Sequence, residues 1–184
     1  MERWSRRQLL QLLPSTLAAP LAAAVLLPPE PVLAAATGGD PDWALSDAEW
    51  RRRLSPEAYA VLRRQATERP FSSPLVAEKR TGIYACAGCR LPLFSSAAKY
   101  DSGTGWPSFW QPLPRALATQ LDFRLIVPRT EYHCRRCGGH QGHVFKDGPR
   151  PTGERWCNNG VALLFQPGSA TAVTGGAVPV RPGR

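Results

Sequence analysis

The sequence predicts a mainly β fold preceded by short N-terminal helices, and three observations predict it. The chain carries 19 prolines and 16 glycines in 184 residues, which favours turns and short strands over a helical bundle. Two helix-start signatures lie close together ahead of residue 66. From Gly82 onward the pattern changes to short apolar or alternating segments separated by turn-formers.

Local chemistry justifies each element in turn. Ser46-Asp47-Ala48-Glu49 is a capping box, in which Ser46 caps the amide of Glu49 and Glu49 reaches back. Ser55-Pro56-Glu57 is a second start, with Ser55 as N-cap and Pro56 at the first helical position. Helices are expected over 47–53 and 56–66, ended by Pro70 and Pro74. Strands are expected at Ile83–Cys86, Leu91–Phe94, Phe123–Val127, Glu131–Cys134, His143–Phe145 and Trp156–Phe165. Phe123–Val127 starts as an alternation and turns apolar, which suits a strand entering the core. After Gln166 the apolar content falls away, so 167–184 is expected to be a disordered tail behind a single domain over 45–166.

The first 36 residues belong to targeting rather than to the fold. Ser5-Arg6-Arg7-Gln8-Leu9-Leu10 is a twin-arginine export signature. An apolar stretch from Leu9 to Leu27 follows, and Ala34-Ala35-Ala36 offers a cleavage site. Pro14 and Pro20 interrupt the stretch, which favours a cleavable signal over 1–36, with an uncleaved membrane anchor as the alternative. Residues 37–44 are Gly/Pro/Asp-rich and read as a flexible lead-in. The expected destination is the periplasm. That route carries proteins already folded, which suits a chain whose cysteines are locked by metal before they meet an oxidising compartment.

Composition narrows the function class. Hydrophobic residues make up 43% and charged residues 20%, ordinary values for a soluble domain. The net charge of +9 raises the question of nucleic acid, but no long Lys/Arg block is present. The densest run, Arg51 to Arg53, falls in a helix where charge marks a solvated face, so no nucleic-acid partner is expected.

The five cysteines divide into two C-x-x-C pairs, Cys86/Cys89 and Cys134/Cys137, and a lone Cys157. Two such knuckles suit a tetrahedral four-thiolate zinc site, with Gly88 and Gly138 easing the turns. The 44 residues between the pairs make the metal a staple for distant parts of one domain. Two disulfides, or a thioredoxin-like redox pair, are the alternatives for the same cysteines. Cys157 stands apart, and Arg155 two residues before it favours its thiolate, the nucleophilic form.

Four blocks containing these residues resemble the methionine sulfoxide reductase B family, the peptide-methionine (R)-S-oxide reductases. They are Gly82–Cys89 (GIYACAGC), Tyr100–Phe109 (YDSGTGWPSF), Cys134–Pro149 (CRRCGGHQGHVFKDGP), and Pro151–Cys157 (PTGERWC) followed by Asn159. The resemblance covers about 45–166. It implies two small antiparallel sheets with peripheral helices, one structural zinc ion on the four paired cysteines, and reduction of the R epimer of methionine sulfoxide, free or in proteins. On these residues it implies Cys157 as nucleophile, passing through a sulfenic acid. It places His140 and His143 near the sulfoxide oxygen as proton donors or water positioners. Trp106 fits the pocket for the S-methyl group, Phe145 lines it, and Asp147 orients a histidine or a loop. Asn159 would share the face of Cys157 if the segment is a strand, and would hydrogen-bond near the thiolate.

Two departures from the family pattern stand out. Thr104 occupies the position that often holds a resolving cysteine, so the chain is similar to one-cysteine members, whose sulfenic acid is reduced by an external thiol. In a periplasm that donor would be a thioredoxin-like or membrane-linked thiol. Trp156 stands where tyrosine is usual. The competing readings are a non-enzymatic zinc-ribbon binding module, a thiol-disulfide oxidoreductase working through a C-x-x-C pair, and a reductase for another sulfoxide. A monomer is the default expectation.

Overall fold

In a computed structural model, residues 40–124 and 127–168 are described. Among the described residues, two α-helices, α1 (Asp47–Arg53) and α2 (Pro56–Arg64), lead into nine strands. These are β1 (Gly82–Cys86), β2 (Pro92–Ser95), β3 (Lys99–Tyr100), β4 (Ser108–Phe109), β5 (Leu117–Asp122), β6 (Arg129–Cys134), β7 (His140–Phe145), β8 (Arg155–Asn158) and β9 (Leu163–Pro167). They form two antiparallel sheets, one ordered β2-β1-β9 and one ordered β3-β4-β8-β7-β6-β5. The fold is mainly β, as the sequence predicts. No helix among the described residues is long and apolar enough to cross a membrane.

Both helices begin where their caps place them. The Ser46 hydroxyl accepts from the Glu49 amide and the Glu49 carboxylate accepts from the Ser46 amide, so the capping box is closed. Ser55 caps α2 through the Ala58 amide, and Gln65 ends it in the left-handed region. α2 buries Ala58, Tyr59, Val61 and Leu62 against the rest of the domain. Between the sheets lies an aromatic core. Phe94 stacks on Phe109 at 4.1 Å, and Tyr84 meets the edge of Phe109 at 5.0 Å. Tyr132 meets Trp156 at 4.9 Å. That core fixes one face of the larger sheet and leaves the other for polar residues.

Several elements differ from expectation. Of the strand expected at Phe123–Val127, the described residues Phe123, Arg124 and Val127 are in no strand. The strand lies earlier, at Leu117–Asp122, where every residue pairs with β6. This is the edge of the sheet, and between Leu117 and Asp122 no residue is buried, so the segment carries little apolar signal. Phe123 and Val127 are exposed, while residues 125 and 126 lie outside the described residues. Trp156–Phe165 is two strands in different sheets, divided by a 3-10 turn at Gly160–Ala162. From Asp40 onward the lead-in expected over 37–44 is an ordered turn, with the Asp40 amide on the Arg136 carbonyl at 2.9 Å and Trp43 stacked on Trp50. Pro167, expected to open a disordered tail, pairs with Gly82. The signal 1–36 and residues 169–184 lie outside the described residues.

Candidate active site and metal centre

Each sheet contributes one cysteine knuckle. Cys86 ends β1 and Cys89 sits in the turn beyond it; Cys134 ends β6 and Cys137 sits in the turn beyond that. All four are buried, and their sulfurs lie within 4.8 Å of one another. The close pairs, Cys86–Cys137 at 3.7 Å and Cys89–Cys134 at 3.4 Å, join one knuckle to the other rather than the cysteines of one C-x-x-C. All are free thiols. This convergence departs from two disulfides and from a redox pair, and four soft donors in one shell suit a single tetrahedral zinc ion with no open position. The Gln141 side-chain amide donates to Cys86 Sγ at 3.3 Å, which supports a thiolate there.

The polar face of the six-stranded sheet gathers the second group. Strand register sets Ser108, Cys157, His143 and Glu131 in one cross-strand row over β4, β8, β7 and β6. Cys157 stands directly opposite His143, and Arg155 opposite Phe145. His140 and His143 are three residues apart, which in a regular strand would put them on opposite faces. The register shifts here: Tyr132 pairs with Gly142, but His133 pairs with His140, so Gln141 is an extra residue. This bulge brings the two imidazoles together, 5.5 Å between centroids, and turns Gln141 inward toward Cys86.

Two carboxylates orient the imidazoles, and neither is Asp147. His143 Nε2 donates to Asp122 Oδ2 at 2.8 Å, and Arg129 Nη2 donates to the same oxygen at 2.7 Å. The Arg124 amide, His143 and Arg129 together hold the Asp122 carboxyl well below its ordinary range. Glu131 Oε1 pairs with His140 Nδ1 at 2.7 Å. Burial pushes the Glu131 carboxyl up, but hydrogen bonds from His140 and Gln120 outweigh it and keep the group ionised. Burial lowers the affinity of His143 for a second proton, only partly offset by Asp122, so its free Nδ1 is an acceptor at neutral pH. His140 Nε2 is buried and has no partner among the described residues. Asp147 instead grips Arg155 through both oxygens at 2.8 and 2.9 Å, and Arg155 lies over the Phe145 ring at 4.2 Å.

A cavity of about 110 Å³ opens at this row. Cys157, His143, Trp106, Phe145 and Asn159 line it, so five of the sequence-chosen residues meet there. His140, Arg155 and Asp147 are outside that lining, the first behind His143 and the other two paired with each other. Asn159 does not share a strand face with Cys157, because β8 ends at Asn158. Its amide is also committed: Oδ1 accepts from the Glu68 amide at 2.9 Å and Nδ2 donates to the Gln141 carbonyl at 2.9 Å.

Glu68, absent from the sequence-chosen set, ties this region together. Its carboxylate accepts from the Gly160 amide at 2.5 Å and the Val161 amide at 2.9 Å, and its carbonyl accepts from the Trp106 indole at 3.2 Å. Asp122, Arg129 and Glu131 also escape the sequence reading. The buried polar chain runs on from Asn159 through Gln141 to Cys86, and from the Gln141 side chain to Asn158 and Tyr132. Around Cys157, burial raises the thiol above its ordinary value. The charge of Arg155 and hydrogen bonds from Thr104, Arg155 and Ser108 pull the other way without prevailing. The influence of Arg155 therefore has the expected sign but not the expected net result. Asp147 neutralises much of its charge.

A single half-buried thiol facing an oriented imidazole, on a sheet stapled to its neighbour by four cysteines, defines a zinc-stabilised thiol enzyme of the nucleophilic class. Comparison with known proteins makes the assignment specific. Residues 54–167 match the SelR domain family. The chain is 52% identical over 131 residues to the peptide methionine sulfoxide reductase MsrB of Leifsonia xyli, spanning 70% of this chain and 94% of that protein. It is 50% identical over 123 residues to the MsrB of Agrobacterium fabrum, 66% of this chain and 91% of that one. The MsrB of Bradyrhizobium diazoefficiens is 53% identical over 123 residues, 66% of this chain and 88% of its own. The chain belongs to the methionine sulfoxide reductase B family, the SelR domain family.

Proposed function

We propose that this protein reduces the R epimer of methionine sulfoxide, free or within polypeptides, to methionine. The observation that carries the reading is the cavity in which Cys157 stands opposite His143 between Trp106 and Phe145. Trp106 and Phe145 offer apolar faces to the S-methyl group. The Cys157 sulfur takes the sulfoxide oxygen: the thiol proton passes to His143 Nδ1 and on to the departing oxygen, Cys157 becomes a sulfenic acid, and methionine is released. Asp122 stabilises the imidazolium that forms in transit. His140 is held by Glu131 behind His143, with its Nε2 buried and unpartnered among the described residues. Zinc on Cys86, Cys89, Cys134 and Cys137 holds the two sheets together and takes no part in the chemistry.

The resting thiol is protonated at neutral pH, because burial raises it. Alkylation of Cys157 by iodoacetamide in the free enzyme is therefore expected to rise with pH across the alkaline range, with its midpoint above the ordinary 9.0 of a thiol. Arg155→Met is expected to push that midpoint higher still, since the guanidinium is the largest influence lowering it. A midpoint near neutrality in the wild type would contradict this account.

Regeneration needs an outside reductant. Two external thiols reduce the sulfenic acid, giving a disulfide and water and restoring Cys157. Thr104 holds the position of a resolving cysteine, and the other four cysteines converge on the metal site. The Arg6-Arg7 signature supports work in the periplasm with a thioredoxin-like or membrane-linked donor. Retention of an Arg6→Lys, Arg7→Lys variant in the cytoplasm would bear on that point; equal export of variant and wild type would refute it. The function itself is tested with dabsyl-methionine sulfoxide, each epimer separately, and dithiothreitol as donor. Turnover of the R epimer alone is expected, and an inert zinc-loaded protein would turn the assignment toward a binding module.

A further inference from the structure

Gln141 is the extra residue of the β7 bulge, and it is fully buried on the core side of the sheet. Its amide nitrogen donates to Cys86 Sγ at 3.3 Å, and its amide oxygen accepts from the Asn158 side chain at 3.4 Å. One end of the side-chain amide therefore touches a metal-site sulfur, and the other touches the residue that follows Cys157. Asn158 is held in turn by the Tyr132 hydroxyl at 3.0 Å.

The Gln141 backbone carries the link across to the reactive face. Its carbonyl accepts from the amide and from the side chain of Asn159, each at 2.9 Å. Asn159 lines the cavity at Cys157. Gly142, the next residue, packs so closely that an added Cβ would lie 2.0 Å from the Cys157 carbonyl oxygen. β7 thus has no slack against β8, and any shift of the bulge passes directly to Cys157 and Asn159. The choice of extra residue also sets the faces of its neighbours: in a regular register His140 and His143 would part to opposite sides. An apolar side chain at 141 would neither hold the sulfur nor meet the Asn158 amide.

We propose that Gln141 is a positioning residue that couples the four-cysteine metal site to the reactive cavity by pinning the bulge from the metal side. The meaning of the cavity rests on the reductase reading; the link itself does not. A donor to a metal-bound thiolate fixes the ligand and tunes the metal, so one hydrogen bond serves both the zinc and the bulge. Such coupling is reciprocal: a change at Cys157 is felt at the metal, and the reverse.

The test compares zinc-loaded wild type with Gln141→Leu, which keeps much of the volume and loses the amide. Zinc transfer to pyridylazoresorcinol is expected to be about tenfold faster from the variant, the scale of losing a partner behind a metal ligand. On the dabsyl R-sulfoxide, kcat is expected to fall about tenfold with little change in KM. The proton that His140 Nδ1 donates to Glu131, a downfield resonance, is expected to move while zinc stays bound. A Gln141 that only fills space would lower Tm and leave that resonance and kcat alone. In cadmium-loaded wild type, alkylation of Cys157 by iodoacetamide is expected to shift the cadmium resonance, a reading that needs no variant to fold. An unmoved cadmium resonance, or a zinc-loaded variant whose kcat and histidine resonance match wild type, would overturn the coupling. A wild type that turns over no R sulfoxide yet shows the cadmium shift would instead overturn the reductase reading and leave the coupling standing.

Discussion

Replacing Cys134 with serine is expected to unfold the domain rather than weaken it slightly. Cys134 ends β6 in the six-stranded sheet, and its close partner Cys89 follows β1 in the three-stranded one. The metal therefore joins the two sheets whose facing surfaces form the core. A structural zinc site contributes about 10–16 kcal/mol of apparent folding energy in small zinc domains, against a total stability of about 5–15 kcal/mol for a typical protein. Serine supplies a poor zinc ligand and leaves three thiolates crowded in a buried shell. Zinc content by atomic emission should fall well below one per chain, near-UV circular dichroism should vanish, and no cooperative melt should remain. Chelation of the wild type should do the same, slowly. A zinc-free variant melting at the wild-type temperature would contradict the staple.

Cys157→Ser is expected to have the opposite profile: no turnover and an intact fold. Oxygen transfer to sulfur forms an S–O bond, whereas the same step on serine would require an O–O bond. Serine is also far from ionisation at neutral pH, and its oxygen is a much weaker nucleophile toward sulfur. Cys157 is only partly buried and bonds to none of the zinc ligands, so its loss should shift stability by no more than about 1 kcal/mol, the usual scale of an isosteric change. Activity should fall to the uncatalysed background while zinc stays at one per chain. Residual turnover with the wild-type epimer preference would mean that a second nucleophile exists.

What the sequence made legible were features carried by short stretches of chain. The capping box at Ser46 and the N-cap at Ser55 need only neighbouring residues, and both form as read. The cysteine knuckles are local spacings, and their convergence follows from the chemistry of four thiols. Features that depend on strand register were hidden. Asp122 and Glu131 look like ordinary surface acids until β5 and β6 are aligned beneath β7. The shared face of His140 and His143 exists because Gln141 is an extra residue, and nothing in H-x-x-H announces a bulge. Glu68 lies in a loop more than 85 residues before the amides it holds, so no window of sequence contains both. Leu117–Asp122 carries little apolar signal because an edge strand buries little, whereas Phe123 and Val127 carry that signal from exposed positions.

The central claim, that Cys157 takes the oxygen from methionine sulfoxide by itself, is tested most directly in a single turnover without reductant. Zinc-loaded enzyme is mixed with excess methionine-R-sulfoxide peptide, quenched with dimedone, and read by mass spectrometry. The account predicts one methionine peptide formed per chain and a dimedone adduct on Cys157 alone, with Cys86, Cys89, Cys134 and Cys137 unmodified. Methionine formation accompanied by a disulfide among those four cysteines, or no methionine at all until reductant is added, would contradict it.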